Sequence, residues 1–92
     1  MEVPVELKKK YLDRRVQDLK NLKSSLVGDD YTLAMKLGHQ VKGNAVTFEF
    51  PQMAHFGDAM ETAAKMKDKE QVHLLISKME SLIQDARQSF LS

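Results

Sequence analysis

The sequence predicts an all-α protein folded as an antiparallel up-down-up-down four-helix bundle. Apolar residues recur at helical spacing along most of the chain, and no stretch alternates for long with the period of two that a strand requires. The four Gly and two Pro fall mostly at short breaks between the apolar stretches, so consecutive helices should be antiparallel neighbours. Residues 1–92 are expected to form one domain, because this length leaves room for a single modest core.

The first predicted helix runs from about Val5 to Leu26. Pro4 suits its first turn, because the N–H group that proline lacks has no partner at that position of a helix. The basic residues of this segment, Arg15 among them, fall mostly outside the apolar stripe, and Gly28 is expected just past the helix end. The stripe comprises Val5, Leu12, Val16, Leu19 and Leu26.

The second predicted helix runs from about Tyr31 to Phe48. Asp29 or Asp30 can cap its N-terminus, where a negative charge is also favourable. The stripe that should face the core comprises Leu33, Leu37, Val41, Ala45 and Phe48.

Two further helices follow. Pro51 begins the third, which should end near Met66, and Asp68 with Gln71 forms a capping pair for the fourth. The third stripe comprises Met53, Phe56, Met60, Ala63 and Ala64. The fourth comprises Val72, Leu75, Ile76, Met79, Leu82, Ile83, Ala86 and Phe90.

Composition excludes several functional classes. A net charge of +1 argues against a dedicated nucleic-acid binder, and the absence of cysteine excludes disulfides, a thiolate nucleophile and Cys-based zinc sites. No apolar run approaches the ~20 residues that span a bilayer, and residues 1–10 lack the apolar region of a signal peptide. We therefore expect a cytoplasmic protein that does not insert into a membrane.

His39 is expected to point away from the core. It lies two residues from both Leu37 and Val41, which places it about 160° from each around the helix. Its own face of the helix comprises Thr32, Met35, Lys36, Lys42, Gly43 and Val46. The lysines surround the ring with positive charge, and the apolar Met35 and Val46 suit a surface on which another protein docks.

Two glycines flank this histidine inside the predicted helix, although each costs about 1 kcal/mol relative to alanine. Gly38 borders the buried stripe, so close helix packing can explain it. Gly43 lies on the face of His39, where we interpret it as clearance that lets the active site of a partner reach the ring.

This arrangement favours phosphoryl transfer. A neutral imidazole is a competent nucleophile, and its attack on a phosphoryl group gives a phosphohistidine whose negative charge Lys42 can offset. The chain has no GxxxxGK[ST] nucleotide loop and no cluster of acidic residues beside His39. We therefore expect no cofactor and no metal in this chain, with the phosphoryl donor and the metal supplied by the partner.

Three stretches form a recognisable pattern: residues 39–44 read HQVKGN, residues 48–51 read FEFP, and residues 60–63 read META. They resemble the signature of histidine-containing phosphotransfer (HPt) domains, which reads H-x-x-K-G-S, then a turn with Gly, then L-E-x-A. Residues 28–31 (GDDY) also resemble the segment before the histidine helix of standalone bacterial members. Two departures from the pattern matter: Glu49 stands where the turn usually has Gly, and Asn44 replaces the commoner Ser.

The resemblance implies that His39 is phosphorylated, that Lys42 lies beside the phosphoryl group and that Gly43 gives the partner access. Such domains carry phosphoryl groups between the Asp residues of receiver domains, or from a sensor kinase, and have no kinase activity of their own. Mg²⁺ is expected on the partner receiver. Met35, Lys36 and Val46 are expected to contribute to docking, and the chain is expected to be a monomer.

Two alternatives stay open at this stage. The chain could be a helical module of the same fold that binds a receiver or a kinase without transferring a phosphoryl group. It could also be a kinase dimerisation hairpin, in which an acidic residue typically follows the histidine, whereas Gln40 follows it here. Of the other histidines, His55 is expected to be solvated on the surface, and the single E-x-x-H of Glu70 and His73 is too little for a di-iron site.

Overall fold

The computed structural model describes residues 2–91, and the predicted all-α four-helix fold is confirmed. The four helices are α1 (Val5–Val27), α2 (Thr32–Asn44), α3 (Pro51–Lys65) and α4 (Lys69–Ser89). No strand occurs within residues 2–91. Helices that follow one another in the chain pack together, and α1 also packs against α4. The closest pair is α2 and α3, which carry the candidate site.

The core is formed by apolar side chains from all four helices. Each large apolar side chain removed from water contributes about 1.5–3 kcal/mol, so this burial is the main favourable term in folding. None of the helices in the described part of the chain is long and apolar enough to cross a membrane. The largest fully buried side chains are Leu12, Leu22, Leu26, Val41, Met53, Met60, Val72, Ile76, Met79 and Ile83.

The predicted stripe of α1 is wrong at two positions. Val5 is 47% exposed, because it lies in the first turn of α1, ahead of Tyr11, the first buried residue of that helix. Arg15 is only 6% exposed, although it was expected outside the stripe. Its guanidinium lies 4.9 Å from the centroid of the Tyr11 ring, and its Nη2 is 2.8 Å from a carboxylate oxygen of Asp18. Stacking on an aromatic ring and pairing with a carboxylate make the burial of this cation tolerable.

The second helix ends earlier than predicted. It ends at Asn44 rather than at Phe48, and the chain continues through turns to Glu49, whose φ is 69°. The N–H group of Phe50 then donates to the carbonyl of Ala45 at 2.8 Å. This bond has the spacing that closes a Schellman motif, and here the left-handed residue turns the chain at the end of the turns that follow α2.

A left-handed turn follows each of the helices α1, α2 and α3, each time without glycine. Asp29, Glu49 and Lys67 have φ values of 58°, 69° and 54°, and the N–H of the next residue bonds each time to the carbonyl five positions before it. Gly28, which was expected to punctuate the end of α1, has a φ of −93°, so Asp29 takes the left-handed position instead. A left-handed conformation costs a non-glycine residue about 1–2 kcal/mol.

Glu49 offsets part of this cost through its side chain. Its carboxylate lies 3.0 Å from the Nζ of Lys8 and accepts a hydrogen bond from the N–H of Val3 at 3.1 Å. These two donors hold the pKa of Glu49 below its ordinary value. Glu49, which departs from the family pattern, therefore adopts the left-handed turn and also binds the N-terminal segment through Val3 and Lys8.

The predicted capping residues hold two helix starts. Asp68 accepts a hydrogen bond from the N–H of Gln71 at 3.1 Å, which confirms the capping pair of α4. Before α2, the carboxylate of Asp30 accepts the N–H of Thr32 at 2.9 Å, and this bond lowers the pKa of Asp30. Asp29, the other candidate, forms an ion pair with Lys69.

The left-handed conformation of Lys67 predicts an unusual response to glycine. Lys67→Gly should raise the free energy of unfolding by about 0.5–1 kcal/mol, because glycine adopts positive φ without strain but gains freedom in the unfolded chain. Urea unfolding followed by circular dichroism measures the change. The matched control is Lys20→Gly, an exposed lysine inside α1, which should lower stability by about 1 kcal/mol. If both substitutions destabilise alike, Lys67 is not strained.

Candidate functional site

The contact between α2 and α3 depends on two glycines that face each other. A Cβ atom on Gly38 would lie 2.7 Å from the backbone nitrogen of Glu61 and 2.7 Å from the carbonyl oxygen of Gly57. A Cβ atom on Gly57 would lie 2.8 Å from the backbone nitrogen of Lys42 and 2.9 Å from the carbonyl oxygen of Gly38. The two backbones are therefore in direct contact. The packing interpretation of Gly38 is confirmed, and Gly57 is its counterpart on α3.

This contact brings an acidic residue of α3 to His39. The Nδ1 atom of His39 lies 3.2 Å from the Oε2 atom of Glu61. The side chain of His39 is 74% exposed, whereas that of Glu61 is 16% exposed. The predicted exposure of His39 is thus confirmed. The Nε2 atom makes no hydrogen bond to any residue of the described range.

Glu61 is the residue of this site whose role the sequence reasoning missed. It entered only as part of the META stretch, with no contact assigned to it. One signal was available: Glu61 lies four residues after Gly57, so both share a face of α3. Which residue of α2 that face would meet depends on the helix pairing, and the pattern within one helix does not determine it.

Lysines surround this pair, and carboxylates hold two of them. Lys42 lies 3.2 Å from the Oδ1 of Asp58, and Lys65 lies 3.9 Å from the Oε2 of Glu61. The Lys42–Asp58 pair is more than half exposed on both sides, so it contributes little to stability. Lys36 forms no ion pair within the part of the chain that the structure describes. The ammonium group of Lys42 can therefore leave Asp58 for another anion at small cost.

Gly43 faces open space. It is exposed, and no heavy atom outside its own helix segment lies within 4 Å of the position that a Cβ would occupy. Packing therefore gives no reason for glycine here, in contrast to Gly38. The structure leaves room for a partner at this position, and the access role of Gly43 stays a prediction.

Two of the three predicted docking residues, Met35 and Lys36, border a shallow hollow of about 390 Å³ together with His39 and Gln40. Val46, the third, is 59% exposed and lies in the turns that follow Asn44, two residues beyond the end of α2. The docking role of all three stays a prediction.

Asn44, the second departure from the family pattern, has a structural contact. Its Oδ1 accepts a hydrogen bond from the hydroxyl of Tyr11 at 2.6 Å, across the interface of α1 and α2. The Tyr11 ring also stacks on Phe48, with 4.4 Å between the ring centroids. Burial raises the pKa of Tyr11, partly offset by the positive charge of Arg15. Tyr11 is therefore a protonated donor, and Asn44 helps to fix α1 beside the site.

The remaining histidines form no hydrogen bond or ion pair with this cluster among the described residues. His55 and His73 are both exposed on their helices, as expected for solvated residues. Within residues 2–91, no group of three or more His, Asp or Glu side chains could hold a metal ion.

The comparisons with known proteins agree with this geometry. A family model of the Hpt domain matches residues 6–89 of the chain. The chain belongs to the Hpt domain family. Hpt domains are the histidine phosphotransfer domains of two-component phosphorelays, where they act as phosphoryl carriers and interact with receiver domains and kinases. Neither the search of curated proteins nor the search of solved structures gave a significant match.

The two glycines of α2 in this Hpt domain should respond oppositely to alanine. Gly38→Ala should destabilise the fold by about 1–3 kcal/mol, because the new methyl group would meet the backbone of α3. Gly43→Ala should stabilise it by about 1 kcal/mol, because alanine favours the helix and nothing obstructs it. Urea unfolding of both variants measures the difference. Equal effects of the two substitutions would contradict the contrast between packing and clearance.

Proposed function

We propose that this Hpt domain accepts a phosphoryl group on His39 from the aspartyl phosphate of a receiver domain and passes it to the Asp of another receiver. A sensor kinase is a second possible donor. The observation that carries this proposal is the exposed ring of His39, whose Nδ1 is held by Glu61. A histidine kept only for packing would be buried and bonded on the inside of the bundle.

The contact with Glu61 selects one form of the ring. An ionised carboxylate can only accept a hydrogen bond, so the Nδ1 of His39 must carry the proton that points to Glu61. In neutral imidazole the lone pair then lies on Nε2. We infer that Nε2 is the nucleophile, and that Glu61 is a positioning residue that fixes the tautomer and the orientation of the ring.

The transfer step balances without a further reactant. The Nε2 atom of His39 forms a bond to phosphorus while the bond from phosphorus to the receiver carboxylate oxygen breaks, which releases the receiver Asp as a carboxylate. The ring keeps its Nδ1 proton and gains positive charge. The carboxylate of Glu61, 3.2 Å away, offsets that charge. The reverse step returns the phosphoryl group to a receiver.

Lys42 and Gly43 are proposed to act on the incoming group and on its carrier. Lys42 lies one helical turn from His39, and its weak exposed pair with Asp58 can give way to a phosphoryl oxygen. Gly43 leaves open the space through which the receiver reaches the ring.

The partner is proposed to supply the rest of the chemistry. Mg²⁺ would be held by the receiver, where it neutralises charge on the transferring phosphoryl group. The chain would contribute neither a cofactor nor kinase activity. We further propose that the chain acts as a monomer in the cytoplasm.

Substitution of the acceptor tests the proposal. Incubation with phosphorylated receiver domains of the source organism should give the wild-type chain an acid-labile phosphoryl label, and His39→Gln should abolish it. His55→Gln is the matched control and should keep the label, because His55 lies outside the site. A label that persists in His39→Gln would remove the assignment. Tight binding of receivers with no label in the wild type would instead indicate a module that binds without transfer.

A larger side chain at position 43 tests access. Gly43→Gln should slow transfer from a receiver about tenfold or more, because the side chain occupies the space beside the ring, whereas helix content and stability should not fall. Stopped transfer reactions measure the rate, and circular dichroism measures helix content. Gly43→Ala, which adds one methyl group, should slow transfer less. Unchanged rates in Gly43→Gln would contradict the clearance role.

A further inference from the structure

A second cavity adjoins the site, on the side of α1. It is a cleft of about 520 Å³ between α1 and the end of α2. Aromatic rings of Tyr11 and Phe48 and the amides of Gln40 and Asn44 form part of its lining. The full set of lining residues is Leu7, Lys10, Tyr11, Arg14, Arg15, Gln40, Asn44 and Phe48.

The charged side chains that line this cleft are all positive. Lys10, Arg14 and Arg15 line it, and no acidic side chain does so within the described residues. Lys10 and Arg14 form no ion pair with any residue of the described range, although Lys8 and Lys9 beside them are paired with Glu49 and Glu6. Two cations on the cleft are thus available to a negative group that arrives from outside.

Arg15 is the unusual member of this set. It is 94% buried, since its exposed fraction is 6%. One nitrogen, Nη2, pairs with Asp18, but Nε and Nη1 are buried without a hydrogen-bond partner in the described structure. These two atoms have almost no accessible surface, so Arg15 adds positive charge to the lining of the cleft but presents no free donor there.

The cleft is continuous with the surface around His39. Gln40 follows His39 in the chain, and its side chain borders both the cleft and the hollow formed by Met35, Lys36 and His39. A protein that docks over the ring of His39 and extends across Gln40 reaches the cleft. The negative group that reaches the cleft can then belong to the same partner that exchanges the phosphoryl group.

We propose that the cleft between α1 and α2 is a docking pocket for an acidic side chain of the receiver domain that exchanges a phosphoryl group with His39. This inference rests on the proposed function and names a second point of contact for its partner. A carboxylate matches the cationic lining of the cleft, in which Lys10 and Arg14 have no ion-pair partner among the described residues. A protein side chain is favoured over a free anion because the cleft opens beside the surface on which the receiver must dock.

The test removes the two exposed cations and compares two phosphoryl donors. The double variant Lys10→Gln, Arg14→Gln keeps the core residue Arg15, so its fold should be intact. The control, Lys9→Gln, Lys20→Gln, makes the same change of charge on α1 outside the cleft. Each protein is phosphorylated by the receiver that transfers fastest to the wild type, and separately by phosphoramidate, a small donor that needs no docking. The rates are measured at low and high salt.

We expect kcat/KM for transfer from the receiver to fall about tenfold in the cleft variant, mainly through KM, and to lose much of its salt dependence. The control should stay within about twofold of the wild type, because its cations lie outside the pocket. Labelling of His39 by phosphoramidate should be equal in all three proteins.

Equal receiver transfer in the cleft variant and the control would overturn the docking pocket. A matching fall with phosphoramidate would also overturn it, because the substitutions would then act on His39 itself. The Arg15 Nε–H resonance gives a further test. If added acetate or inorganic phosphate changes this resonance and the receiver does not, the cleft binds a free anion, which contradicts the proposal. Failure of the proposed function would look different, because then neither the receiver nor phosphoramidate would label His39.

Discussion

The close contact of α2 and α3 is the constraint on which the site depends. Gly38 and Gly57 let the two backbones meet, and this proximity places the Glu61 carboxylate 3.2 Å from the Nδ1 of His39. Any side chain at either glycine would separate the helices. Glycine weakens a helix, but at these two positions it allows Glu61 of α3 to reach the exposed His39 of α2.

The core of the bundle stabilises the fold, and its surface carries the candidate site. Apolar burial fixes the four helices, while the ring of His39 stays 74% exposed and contacts one carboxylate, that of Glu61. The first helix adds a polar connection, because Tyr11 bonds to Asn44 and carries the buried guanidinium of Arg15. The positive cleft lies at this junction, so α1 both closes the core and shapes the surface beside His39.

Sequence periodicity predicted the helices and the exposure of His39, because both depend on contacts within a single helix. It did not predict that α2 ends at Asn44, because residues 45–48 contain no Gly or Pro and the left-handed turn at Glu49 comes only after them. Nor did it assign Glu61 to His39, since that contact depends on the approach of two helices. The burial of Arg15 was missed although Tyr11 lies four residues before it, at a spacing that allows the contact.

The most direct test of this account is NMR of the phosphorylated chain with isotope-labelled histidine, which identifies the ring atom bonded to phosphorus. We predict a bond from phosphorus to the Nε2 of His39 and a proton retained on Nδ1, because Glu61 holds that proton. Phosphorus on Nδ1, or on a residue other than His39, would contradict the central claim that Glu61 orients this ring for transfer.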